Sequence, residues 1–271
     1  MTEKTPLEAK PRVAPLTLAE AHARWRPLTL GRQYPADLDA AQVAAIDWLI
    51  RCGEERLGQA KIGSDFETGD PAAESYLNNI AEFPHLFVLG CVMDRQIPTS
   101  RAWRIPTTVG EALGGMSFTH FSSCDAQHLG EIFASGRLHR FPGKMAAYFY
   151  GAIRLITERY EGDAGRIWAP GSSSAGVIRR LLEFDGIGLK IANMAVNILA
   201  RDFRVLLTEY SSIDIAPDSR VAEFFKHHRM LRTKKREEII YLARELYPWY
   251  PGMLDIGAWE WQNPASRSRR S

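Results

Sequence analysis

Phe184-Asp-Gly-Ile-Gly-Leu-Lys-Ile-Ala-Asn-Met-Ala-Val-Asn-Ile-Leu199 joins a glycine hairpin to a helix that carries one lysine on an otherwise apolar surface. Gly186 and Gly188 flank Ile187, so the backbone can turn with positive φ at either glycine and enter a helix at once. Ile191, Met194, Ala195, Ile198 and Leu199 follow the i, i+3, i+4, i+7, i+8 spacing of a core face. Lys190, Asn193 and Asn197 make a polar stripe on the opposite edge, and Ala192 and Val196 fill the remaining sector. The helix is therefore expected to be buried except along that stripe, with Lys190 where the stripe meets the hairpin.

A hairpin of this kind leaves backbone N–H groups pointing outward, and the positive end of the following helix dipole makes them a seat for one phosphate. The expected ligand is a nucleic-acid backbone. A lysine in the first turn of a helix faces the unfavourable end of the dipole, and partial burial would penalise its charge. Both effects favour a neutral, nucleophilic amine at Lys190; the alternative is a solvated helix lysine.

The 271 residues, 45% of them hydrophobic, can bury a full core in one large domain or two intertwined lobes. No apolar run approaches a membrane span and the first ten residues are charged, so a cytoplasmic protein is expected, in a bacterium one associated with the nucleoid. Cys52, Cys91 and Cys124 fit neither a disulfide framework nor a metal-ligand spacing and read as reduced core thiols. A net charge of +2 neither demands nor excludes nucleic acid. Basic residues do cluster at 226–236 and 267–271, either as solvated faces or as phosphate-contacting surfaces.

Strand signals are scarce and helical periodicity recurs, so the fold class is all-α with about ten helices. Helices are expected over 37–58, 72–81, 83–94, 98–104, 108–114, 124–135, 144–160, 174–184 and the lysine helix. Residues 201–212 are ambiguous between helix and strand. Pro217 turns the chain away from α, and Asp218 or Ser219 can cap a helix over about 219–228.

Phe184-Asp-Gly-Ile-Gly-Leu-Lys-Ile-Ala-Asn193, followed by Pro217-Asp-Ser-Arg-Val221, resembles the helix-hairpin-helix DNA glycosylase superfamily, which includes endonuclease III and the 8-oxoguanine glycosylases. The resemblance extends weakly over roughly 76–225 and implies a two-lobed fold with its active site in the cleft between lobes. Between a flexible arm (1–15) and a basic tail (263–271), both read from composition, it divides the chain into a terminal helical lobe (16–75 plus 205–262) and a central lobe ending in the hairpin (76–204). By position Lys190 matches the family's catalytic lysine and Asp218 its aspartate. The segment between them is longer than in endonuclease III, so Asp214 stays open as the alternative carboxylate. The iron–sulfur loop of endonuclease III is absent, since no cysteine follows Cys124.

The implied activity is base-excision repair of damaged double-stranded DNA by a bifunctional, monomeric glycosylase and abasic-site lyase that needs no cofactor. It acts on an oxidised base flipped from the duplex, through a Schiff base on Lys190. The readings left beside it are a monofunctional glycosylase for alkylated or other modified bases and a non-catalytic DNA-binding module. DNA contacts are expected from Gly186, Ile187 and Gly188, and from Gln96 with Arg95, whose loop would fill the gap left by the flipped base. Aromatic residues to stack on that base are plentiful, with Trp259 and Phe149 the candidates for the pocket.

Overall fold

The computed structural model describes residues 34–35, 37–59, 62–233 and 235–262, and among these it is all-α: twelve α-helices, two 3-10 turns and no strand. The expected arm at 1–15 and basic tail at 263–271 lie outside the described residues. Helix α1 (Ala40–Gly58) starts where Asp39 and Gln42 exchange side-chain and backbone hydrogen bonds at 2.8 and 2.9 Å, a capping box that occupies two otherwise orphaned N–H groups. Asp70 caps α2 (Pro71–Asn78), with proline at the first position where no N–H is required.

Helix α3 (Pro84–Met93) is buried along its whole length and forms the centre of the molecule. Helix α4 (Thr99–Ala112) packs closely on it: a Cβ on Gly90 would lie 2.3 Å from the Trp103 ring, so only glycine admits that approach. Trp103 in turn packs on Phe66 and Phe87 at centroid distances of 4.6 and 5.4 Å. The two short helices expected over 98–104 and 108–114 are thus one. Pro106 lies inside it and withholds an N–H from the helix, while the Thr107 and Thr108 hydroxyls bond back to the Arg104 carbonyl at 2.9 and 3.1 Å. Burial of Ala102, Trp103, Ile105, Pro106 and Val109 on one side holds the helix together through the proline.

Short α5 (Phe118–Ser122) and α6 (Ala126–Ser135) lead to α7 (Pro142–Arg159), which packs on α3 and α6. A 3-10 turn (Ala164–Trp168) precedes α8 (Ser174–Leu181), and the hairpin then delivers α9 (Leu189–Arg201). Residues 202–218 form neither helix nor strand, so the ambiguous 201–212 segment is an irregular connection from 202 onward, with Arg201 ending α9. Arg204 sits there in left-handed backbone, φ 58°, and donates to the Arg56 and Gln59 carbonyls at the C-terminal end of α1.

The chain closes with α10 (Ser219–His227), α11 (Glu237–Leu246), a 3-10 turn (Pro251–Leu254) and α12 (Asp255–Gln262). Helix α12 packs on α1 and α10, so the two ends of the described chain meet. Helix α9 touches α3, α8 and the Pro251–Leu254 turn, and is the element that connects the central helices to this closing group. Cys52, Cys91 and Cys124 are buried free thiols, as expected from their spacing.

Candidate functional site

Gly186 provides the turn of the hairpin at φ +98°, a conformation that a side chain resists. Gly188 is extended, φ −94° and ψ 174°, and serves as the N-cap of α9. Only the first glycine is needed for its φ. The Ile187 N–H is consumed inside the turn by the Phe184 carbonyl at 3.0 Å, and its side chain is buried. Ile187 therefore shapes the hairpin from within rather than offering its own N–H outward. What the hairpin presents is the start of α9, where Gly188 supplies no side-chain cap.

Lys190 is exposed in that first turn, so partial burial is not what conditions it. The polar stripe behind it behaves differently from the expectation. Asn193 and Asn197 are 4% and 2% exposed, whereas Ile191 and Met194, on the expected core face, are half-buried. The reason is that the stripe meets the irregular connection and the closing turn rather than water. Asn193 accepts the Asp214 N–H at 2.7 Å and donates to the Leu189 carbonyl at 2.9 Å. Asn197 donates to the Gly252 carbonyl at 2.7 Å and to Asp255 at 2.8 Å, and accepts from the Tyr250 hydroxyl at 2.7 Å.

Arg201 continues the same stripe one turn further, a position whose role the sequence reading missed. It donates to Asp255 at 2.6 Å and to Asp202 at 3.1 and 3.2 Å, all in the interior. Burial opposes the charge on Asp202, yet Arg201 and Arg56 outweigh it and hold the carboxyl below the usual carboxylate range. Burial pushes the Asp255 carboxyl up to about 6 against the pull of Arg201, with Asp202 and Asp218 adding to the rise.

Asp218 caps α10 by accepting the Val221 N–H at 2.9 Å, and its charge reaches Asp255. Asp214 is held by Arg244 in a two-pronged ion pair at 2.7 and 2.8 Å. Of the two carboxylates, Asp214 is thus committed to a cation and Asp218 to one backbone donor.

Gln96 stands exposed at the tip of the α3–α4 loop in left-handed backbone, φ 55°. Arg95 beside it lies over the Tyr148 ring at 5.9 Å, and Lys144 over the same ring at 5.3 Å. The loop borders a recess of about 190 Å³ completed by His139, Phe141, Lys144 and Met145. Burial lowers the pKa of His139. His139, Phe141 and Lys144 became visible as neighbours of Gln96 only in three dimensions, because they follow it by more than forty positions.

Trp259 is 41% exposed, with the Arg220 guanidinium 5.1 Å over its ring, two positions beyond Asp218. Phe149 is fully buried between Phe121 and Phe133, at centroid distances of 6.3 and 5.4 Å. It is a core residue with no face left for a base. Among the described residues no group of three or more His, Cys, Asp or Glu is arranged to hold a metal ion, and no helix is long and apolar enough to cross a membrane. No family model matches the chain, and no curated protein matches its sequence.

Proposed function

We propose that the chain is a DNA glycosylase with β-lyase activity, of the two-lobed helix-hairpin-helix type, acting on an oxidised base in double-stranded DNA. The observation that carries this reading is one helix that bears the lysine and ties down the segments flanking Asp218. Lys190 opens α9, and Asn193, Asn197 and Arg201 on the same helix hold the connection and the closing turn on either side of Asp218. A lysine, a weakly engaged carboxylate and an uncapped helix start are what a Schiff-base mechanism on a phosphodiester chain requires. The arrangement of the lobes, 16–75 with 205–262 against 76–204, belongs to the same proposal. It is supported by the packing of α12 on both α1 and α10.

In this mechanism the α9 start and hairpin hold one phosphate, and Gln96 enters the duplex where the nucleotide leaves the stack. Arg220 and Trp259 offer the extruded base a stacking surface. Lys190 Nζ bonds to C1′ as the base departs with the glycosidic electrons. Asp218 stabilises the positive charge on the sugar, and the Schiff base then permits β-elimination of the 3′ phosphate.

Borohydride reduction in the presence of duplex DNA containing an abasic site or an oxidised base tests the reading. A covalent complex is expected for the wild-type protein and none for Lys190→Gln. Equal trapping by Lys190→Gln sinks the mechanism, and base release without strand cleavage makes the protein a monofunctional glycosylase.

A further inference from the structure

Asp94 ends α3 as its C-cap, two residues ahead of Gln96. The hairpin lies against this end of the helix: a Cβ on Gly186 would sit 3.2 Å from the Val92 carbonyl oxygen and 3.3 Å from the Tyr148 ring. That contact sets the hairpin, and with it the start of α9, at the end of α3 that Asp94 caps. Burial pushes this carboxyl up, and the Lys190 ammonium pulls against the rise. Among the described residues the Asp94 side chain makes no hydrogen bond or salt bridge, whereas Asp214 is tied to Arg244 and Asp218 caps α10.

Resting on the lyase reading above, we infer that Asp94 is a positioning residue that receives the proton Lys190 must lose when DNA covers the pair. Without DNA the exposed ammonium is well solvated, and its charge steadies the partly buried carboxylate. Once DNA removes the water that solvates the exposed ammonium, the carboxylate, already penalised by its burial, loses the rest of its solvation, and moving one proton from Nζ to an Asp94 oxygen leaves two neutral groups. The lone pair now on Nζ forms the bond to C1′, the base leaves with the glycosidic electron pair, and water supplies the base with its proton.

The other charged or titratable groups around the pair are the buried Cys91 thiol on α3, which burial and the Asp94 charge keep protonated, Arg95 on the loop, Lys144 and Tyr148 on α7, His139 before α7 and Asp185 in the hairpin. Arg95 and Lys144 keep the surroundings positive, which suits a phosphate chain and opposes a second charge on the lysine side. Asp185 is exposed to solvent at the hairpin and does not share the burial of Asp94.

The test is the single-turnover rate of Schiff-base formation on abasic duplex DNA from about pH 6 to about pH 9, with aliquots quenched into borohydride. On this probe Nζ adds to the C1′ aldehyde and water leaves, so the same proton must first depart. Wild-type protein is expected to show a plateau, because a proton moving within the pair leaves total protonation unchanged. In Asp94→Asn the proton goes to solvent, and the rate should climb about tenfold per pH unit while DNA affinity stays within about twofold. Asp94→Glu should restore the plateau, which also guards against a folding defect in the amide variant. A plateau retained by Asp94→Asn, even at a lower rate, overturns the inference alone. Absence of trapping by the wild-type protein overturns the lyase reading and the inference with it.

Discussion

Asp218 has two tasks that a single substitution can separate. As the N-cap of α10 it satisfies the Val221 N–H, worth about 1 kcal/mol, and asparagine caps a helix equally well. As the stabiliser of a cationic sugar it needs its charge, which asparagine lacks. Asp218→Asn is therefore expected to melt within about 1 kcal/mol of the wild-type protein while losing on the order of a hundredfold or more in single-turnover base excision. Asp218→Ala should lose both. An asparagine variant with undiminished excision would reduce Asp218 to a cap and return attention to the other carboxylates. Asp214→Asn gives the complementary result: it breaks the pair with Arg244, so its main effect should be on stability.

The hairpin is the element where the two glycines part company. Gly186 requires positive φ and has Val92 and Tyr148 against the place of a Cβ, so Gly186→Ala should cost about 1–2 kcal/mol and move Lys190 away from the end of α3. Gly188 has ordinary φ and open space around it, so Gly188→Ala should cost under about 1 kcal/mol by thermal melting. If both melt alike, the close approach to α3 is not what selects glycine. The sequence made this element legible because a glycine pair, a helix start and 3.6-residue periodicity are all local signals. Asn193 and Asn197 were legible as a stripe that could make buried ties between helices, but the partners were not legible, since Asp214, Tyr250 and Gly252 are distant in the chain. The single helix Thr99–Ala112 was not legible as one element for the opposite reason: the local tendency of Pro106 is to break a helix, and burial against α3 overrules it. Phe149 carried no local mark distinguishing a core ring from a pocket ring, and only the rings packed around it decide.

For the whole molecule, two buried groups oppose one another in the acid range. His85 is surrounded by Phe83, Phe118 and Phe121 and shares a hydrogen bond with the Met116 carbonyl; burial lowers its pKa to about 4 from an unfolded value of 6.5. Between those values the unfolded chain binds a proton that the folded chain refuses, so stability from His85 rises with pH. Burial instead raises Asp255 to about 6 from an unfolded value of 3.8. There the folded chain holds the extra proton, so its stabilisation is present below pH 3.8 and is lost as pH rises through about 6. The two slopes nearly cancel between about pH 4 and about pH 6. Each substitution should unmask the other group. Asp255→Asn, which removes the descending contribution, should become more stable with rising pH, relative to wild type, by up to about 1.4 kcal/mol per unit. His85→Gln should show the reverse, whatever its constant loss from disturbed packing. Urea denaturation across this range reads both slopes directly. Parallel pH profiles for the wild type and Asp255→Asn would mean that Arg201 keeps Asp255 ionised in the fold, so that the ties between α9 and the closing turn hold at any pH near neutrality.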